Sequence, residues 1–592
     1  MRMKKHSPGF WIGFGLLLAV MLAVLELNKN TLFGFALLAV AAFLFVYLHG
    51  RVRHGALRFL CWIGWIALFA AILFTTWPPT KRVPAVEGKN GGPSGIVMTD
   101  KGKVQGVKTA DGAVEIFTGI PYAAPPVGEL RWCVPQSAKS WPGTLVCDHF
   151  APMSMQPTNL PIYDSLAQII GYHDYRISLT DNSVAPVSED ALYLNVFKPA
   201  GEQSALPVFV YIHGGSLQTG QPWYGDYRGE SMAREGVVYV NFAYRLGVFG
   251  YYADEELMAE SPFGTTGNYG LLDQIAALEW VRDNIEAFGG DPNNVTLAGE
   301  SAGAAAVSAL CTSPLAEGLF ERVILESSTV ASVEPPHSFR LLDEALESGR
   351  ALRGRHGVSS LAELRALSAE ELVGEAATQH HMTVDGYALT ETPYESYRRG
   401  VHNEQAILHG YNSRESGPFI LFSQADMKNY EDKVRAYFKE YADEILALYP
   451  AGTDEEARAN WAEIYGAIFF DYSHYCLNRL ATANGIPVWE YYFSRDNGRL
   501  GPWHSGEEVY FYGNIPADSR LYDARDRELS AQMFAAFCRF TAAGDPNGEG
   551  AVAWERNDSS GRVMEFGDET RMIDEREHAL FAIFDRMQGW ED

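Results

Sequence analysis

The hydrophobic pattern changes character near residue 84. Before it, three apolar runs cover about 10–27, 31–48 and 56–77. Each is close to the roughly 20 residues that a helix needs to cross a bilayer. Charged residues sit almost only between the runs, so residues 1–77 are read as an anchor of three transmembrane helices. A cleaved signal peptide is the alternative for the first run, but no small-x-small cleavage site precedes Asn28 and two more runs follow closely. "PPTKRVPAVEGKNGGPSG" (78–95) has the Pro and Gly content of a linker. From 96 to 592 the pattern alternates between buried-strand runs and helical periodicity. "LPVFVYIHGG" (206–215), "GVVYVNFAYR" (236–245), "NVTLAGE" (294–300) and "RVILESS" (322–328) are strand runs. "NYGLLDQIAALEWVRDNIEAFGGDP" (268–292) and "SAGAAAVSALCTSP" (301–314) are helical. Strands alternating with helices predict an α/β fold with a mostly parallel central sheet.

Charge adds a direction and an exclusion. Arg2, Lys4 and Lys5 precede the first run, and Arg51, Arg53 and Arg58 flank the second loop. Positive residues stay in the cytoplasm, so the third helix leads outward and everything after Trp77 is expected outside the cytoplasm, on a multi-pass cell-membrane protein. Cleavage of the first run would leave that orientation unchanged. Beyond residue 83 the chain has 38 basic and 73 acidic residues, against 47 and 74 in the whole. That balance argues against nucleic acid or anionic lipid as the ligand and fits a solvated acidic surface. The six cysteines show no metal-ligand spacing with histidine, so no metal and no organic cofactor is expected. Nothing in the chain specifies an oligomeric state.

The candidate chemistry lies in Gly299-Glu300-Ser301-Ala302-Gly303. Flanking glycines permit a tight strand-to-helix turn that projects the Ser301 hydroxyl above the sheet edge at a helix N-terminus. A serine nucleophile needs a base, a group that orients the base, and donors for the developing oxyanion. "YIHGGSLQTG" (211–220) is the matching earlier turn. The N–H groups of Gly215 and Ser216, with that of Ala302, are the candidate oxyanion hole, and Gly214 is the reserve. The 15 histidines and the many acids leave the base and the orienting acid open. His213 and Glu300 are the nearest rivals.

Several longer stretches resemble the type-B carboxylesterases, the cholinesterase-like and para-nitrobenzyl-esterase-like branch of the α/β-hydrolases. They are "FTGIPYAAPPVGELRW" (117–132), "SEDALYLNVF" (188–197), residues 267–304 around the elbow, and "FTAAGDPN" (540–547). The resemblance covers about Gly95 to Phe566 and implies an α/β-hydrolase domain over 96–592. It implies Glu415, in "GYNSRESGPF" (410–419), as orienting acid and His504, in "GPWHSGEEVYFYGN" (501–514), as base. It makes His213 a packing residue and Arg131 with Glu189 a structural ion pair; Glu300 is expected to point away from the nucleophile. The family commonly bridges two cysteines whose positions are Ala191 and Ser154 here, leaving Cys133 and Cys147 as a candidate replacement pair. The expected activity is hydrolysis of small neutral carboxylic esters through an acyl-enzyme, with Trp223, Tyr224 and the aromatics near Phe419 as candidate pocket lining. The alternatives are a non-catalytic adhesion or binding ectodomain, and a lipase or amidase on the same fold.

Overall fold

The computed structural model describes residues 6–157, 161–167, 182–375, 380–499, 501–557, 561–574 and 578–590. The chain forms two compact units: Met1–Arg82 with Thr158–Pro186, and Val83–Pro157 with Val187–Asp592.

The first unit is built on three helices, α1 (Pro8–Leu27), α2 (Leu32–Arg51) and α3 (Gly55–Thr75). All three are long and apolar enough to cross a membrane. Phe14, Phe45 and Trp65 pack between them, with Trp65 stacked 5.0 Å from Phe14 and 4.6 Å from Phe45. Large apolar side chains also line the outside: Phe43 is 72% and Phe74 68% exposed. Water would penalise that surface and hydrocarbon would not. Helix α4 (Pro161–Ala167) packs against α1.

The second unit is ordered by one large sheet, thirteen strands among the described residues. Its centre runs 238–242, 206–212, 290–300, 322–326, 406–412, 488–493 and 562–566, all parallel. Antiparallel strands flank it, beginning with Pro93–Met98 inside the stretch read as linker. The strands are buried on both faces, which is why they read as near-continuous apolar runs. Val208, Val210 and Ile212 pack into the core on one face, while Phe209 and Tyr211 pack into the core on the other. Helices Tyr269–Asn284 and Ala302–Leu310 cover the first face and Ala524–Ala543 the second. Strand 206–212 lies between 238–242 and 290–300, so chain order reverses there. Such a reversal opens a crevice beyond the carboxyl ends of the strands, where α/β folds place their ligands.

Candidate active site

Strand Gly290–Glu300 ends at this crevice, and helix Ala302–Leu310 starts after one intervening residue, Ser301. The turn is possible only with glycine on both sides. A Cβ on Gly299 would lie 2.5 Å from the Gly303 carbonyl carbon, and one on Gly303 would lie 2.0 Å from the Ile212 oxygen. Ser301 itself takes φ +54°, a left-handed conformation that costs a non-glycine residue about 1–3 kcal/mol. Its N–H donates to the Glu326 carbonyl oxygen at 2.8 Å, which ties the strained residue to the neighbouring strand.

Three side chains from distant parts of the chain meet here. His504 Nε2 lies 2.8 Å from Ser301 Oγ, and His504 Nδ1 lies 2.6 Å from Glu415 Oε2. In the neutral imidazole this geometry fits an Nδ1–H donated to Glu415 and an Nε2 lone pair accepting from the serine hydroxyl. Glu415 is 2% exposed, and its Oε1 accepts the Asn412 N–H at 2.7 Å, which fixes the carboxylate. It follows the strand Ala406–Asn412, whose carboxyl end opens on the same crevice as the elbow.

The glycine turn after Leu206–Ile212 runs beside the elbow. A Cβ on Gly214 would come within 3.0 Å of Ser301 Cβ. Gly215 has φ +104°, and a side chain there would strike the Thr219 carbonyl oxygen at 2.2 Å. Ser216 and Leu217 also take positive φ. The Gly215 oxygen accepts from the N–H groups of Gln218 and Thr219, which pins the turn. Among the described residues, the N–H groups of Gly215, Ser216 and Ala302 meet no backbone acceptor.

Glu300 differs from expectation. Instead of pointing away, its Oε1 lies 3.3 Å from His504 Nε2 and accepts from Ser505 Oγ at 2.6 Å. The positive φ of Ser301 breaks the strand alternation, so consecutive side chains reach the same imidazole. Burial alone would push the His504 imidazolium down. The charges of Glu300 and then Glu415 outweigh it and raise His504 to about 9. Burial raises Glu300 as well, and the charge of Glu415 adds to this. More buried acids lie behind. Glu507 accepts from Ser327 Oγ at 2.8 Å and from Asn412 Nδ2; burial and then the charges of Glu415 and Glu300 lift it to about 8. Glu326 accepts from Tyr512 OH at 2.6 Å, and Glu508 from Tyr211 OH. Both acids are pushed well above the usual range, first by burial. Glu507 and Glu508 sit three and four residues past His504, and that closeness was their only signal in the sequence.

The profile of the carboxylesterase family matches residues 93–582. The chain belongs to the carboxylesterase family. It is 32% identical over 522 residues to a fumonisin B1 esterase of Sphingopyxis macrogoltabida, covering 84% of this chain and 91% of that protein. It is 31% identical over 489 residues to a para-nitrobenzyl esterase of Bacillus subtilis, covering 78% and 92%. The crystal structure of a Geobacillus stearothermophilus carboxylesterase, EST55, superposes with TM-score 0.70 at 28% identity, covering 82% of this chain and 99% of that one. The protein is a carboxylic ester hydrolase on an α/β-hydrolase fold.

The walls around the histidine of this carboxylesterase are aromatic. Phe419 and Phe470 lie with ring centroids 5.0 and 4.8 Å from His504. Phe470 belongs to a π-helical turn, Ala467–Asp471, a distortion that periodicity does not reveal. Tyr224 is 51% exposed, and Trp223 packs on Phe150. His213 is buried against Tyr244 at 4.6 Å, and burial lowers it to about 4, so it stays neutral packing material. Arg131 holds Glu189 with two bonds, of 2.7 and 2.6 Å. Cys133 and Cys147 are not bridged to each other: Cys147 lies in the core, and Cys133 Sγ donates to the Glu129 carbonyl oxygen at 3.3 Å. Ser154 stands in the first position of the missing family bridge and donates to the Tyr244 carbonyl oxygen at 2.6 Å.

Proposed function

We propose that the protein is a membrane-anchored serine carboxylesterase whose hydrolase unit lies outside the cytoplasm. Ser301 is its nucleophile, His504 the general base, Glu415 the orienting acid, and the Gly215, Ser216 and Ala302 N–H groups the oxyanion hole. The observation that carries this reading is the continuous hydrogen-bonded line Ser301–His504–Glu415, at 2.8 and 2.6 Å, on a strained elbow at a sheet reversal. Three membrane-length helices, with positive charges before the first and around the loop between the second and third, support the anchor and its direction.

His504 takes the serine proton as Oγ attacks the ester carbonyl. The imidazolium so formed has Glu415 on Nδ1 and Glu300 on Nε2. Negative charge on the carbonyl oxygen is met by backbone N–H groups, each worth about 2.7–4 kcal/mol in comparable sites. The alcohol leaves with the proton from His504. Water, deprotonated by the same imidazole, then releases the acid. Buried carboxylates crowd the histidine, so a neutral ester suits the site better than one carrying anionic groups.

Full-length protein in detergent micelles, offered p-nitrophenyl esters from acetate to palmitate, tests the activity. Hydrolysis of at least the short esters is expected. A folded chain that turns over none of them would sink the reading and favour the binding ectodomain.

The pH profile tests the role of Glu300. The base must be neutral, so kcat/KM should rise with pH, with its midpoint above the ordinary imidazole value near 6.5. Glu300→Gln removes a negative charge that favours imidazolium, so the midpoint should fall by about one unit or more. An unchanged midpoint would show that Glu300 does not act on His504.

A further inference from the structure

The chain passes between its two compact units three times, at 82/83, 157/158 and 186/187. A simple tether needs one passage. The excursion Thr158–Pro186 leaves the hydrolase, belongs to the unit that contains the membrane helices, and returns. Its described parts are fastened there at three places. Helix α4 packs against α1, with Pro161 and Ser165 buried. Val184 donates its N–H to the Pro79 oxygen at 3.1 Å and accepts the Lys81 N–H at 3.0 Å, making a short parallel bridge to the chain just after α3. Asn182 Nδ2 donates to the Asn30 carbonyl oxygen at 3.1 Å.

The last contact completes a closed polar knot. The turn between α1 and α2 passes through Asn28, Lys29 at φ +56°, and Asn30. Asn30 is wholly buried; Asn28, Thr76 and Asn182 are nearly so. Asn30 Nδ2 donates to the Leu73 oxygen at 2.8 Å and to Thr76 Oγ1 at 2.9 Å, while its Oδ1 accepts from Asn28 Nδ2 at 2.7 Å. Polar groups enclosed this way need their partners, because no water replaces a lost one. Asn182 supplies the partner for a backbone oxygen at the helical turn. It comes from a segment 152 residues further along the chain.

On the hydrolase side, the chain just before the excursion is fixed beside the glycine turn that follows strand Leu206–Ile212. Gln156 donates Nε2–H to the Gly220 oxygen at 2.8 Å and accepts the Gly220 N–H at 3.0 Å. Gly220 backs His213 so closely that a Cβ there would lie 2.4 Å from the imidazole Nδ1.

We propose that helix Pro161–Ala167 and the residues Asn182 and Val184 act as a clasp: they dock on α1, on the α1–α2 turn and on the segment after α3, and hold the hydrolase to its anchor without the covalent link at 82/83. The inference rests on the anchor reading. Its biological consequence is resistance to shedding, because cleavage at the exposed Lys81-Arg82 pair would not free the hydrolase.

The test inserts a site for a sequence-specific protease between Arg82 and Val83 in the full chain. Membranes are treated with the protease, sedimented, and blotted for the hydrolase fragment. Uncut protein must sediment; if it does not, the anchor reading itself fails. After complete cutting, the hydrolase fragment is expected to stay in the pellet. Its appearance in the supernatant overturns the clasp. Cut hydrolase displaced with detergent is then offered vesicles of the same lipids without fragment 1–82. It should remain in solution, and binding to bare vesicles overturns the proposal by making lipid the partner. The double substitution Asn182→Leu and Val184→Pro removes the carboxamide and one bridge N–H. Uncut, it should keep activity on a soluble ester, which reports folding; cut, it should be released. Retention as firm as in the unsubstituted chain would also overturn the proposal.

Discussion

Replacing Ser301 by alanine is expected to lower kcat for p-nitrophenyl ester hydrolysis by roughly 10⁴–10⁶-fold, the range seen when a triad nucleophile is removed. The side chain lost is one oxygen, and its partner is His504 Nε2 at 2.8 Å. The structural anchor of the residue is its backbone: the N–H bonded to the Glu326 oxygen and the carbonyl that accepts the Ala305 N–H at 2.9 Å. Alanine keeps both. It also pays the same left-handed conformation as serine, so the thermal midpoint should hardly move. The oxyanion donors stay in place, so a remnant of catalysis over water should survive. Stopped assays on matched protein amounts, with circular dichroism as a folding check, measure this. A folded variant within tenfold of the original would remove Ser301 from the mechanism.

Glu415→Gln should cost about 10⁴-fold in kcat, with KM little changed. Both carboxylate oxygens are acceptors here, one for the Asn412 N–H at 2.7 Å and one for His504 Nδ1 at 2.6 Å. A carboxamide has only one acceptor oxygen. Whichever way it turns, its NH₂ faces either a backbone N–H or the imidazole N–H. The cheaper escape is the other imidazole tautomer, which puts the proton on Nε2 and leaves nothing to accept from Ser301. The charge that would steady the imidazolium is lost as well. Glu507→Gln provides the contrast. Burial and the charges of Glu415 and Glu300 lift Glu507 to about 8, so its charged form is disfavoured there and a neutral amide loses less. Its neighbours Ser327 and Tyr491 are hydroxyls that can turn to accept from an amide. That variant should lose less than about tenfold. Equal losses at Glu415 and Glu507 would contradict the assignment of the orienting acid.

Legibility in the sequence follows the distance over which each feature is encoded. The elbow is local: the strand, Gly299, Ser301, Gly303 and the helix fall within about twenty residues, and each glycine has a steric reason at that spot. The glycine turn proposed as the oxyanion hole is readable in the same way, from strand Leu206–Ile212 and the glycines that follow. His504 and Glu415 were not readable from periodicity. His504 lies 203 residues from the serine and 89 residues from Glu415, and only the family resemblance singles the two out. Glu300 departs from the expectation of strand alternation because its neighbour Ser301 leaves the strand conformation. Phe470 needed a π-helical turn to reach His504, and that Cys133 and Cys147 are not bridged to each other is decided only by the packing.

By itself the sequence determined three membrane-length helices, an α/β chain with a mostly parallel sheet, and a serine raised between two glycines. These follow from hydrophobic period, charge placement and local sterics, which act over a few turns of chain. Only the tertiary structure decided which acid meets which nitrogen of the imidazole, that several buried carboxyls share the enclosure behind it, and that Pro161–Ala167, Asn182 and Val184 pack with the membrane-length helices and their flanks. Those outcomes depend on desolvation and on contacts between distant segments, and both exist only after the sheet has brought its strand ends together.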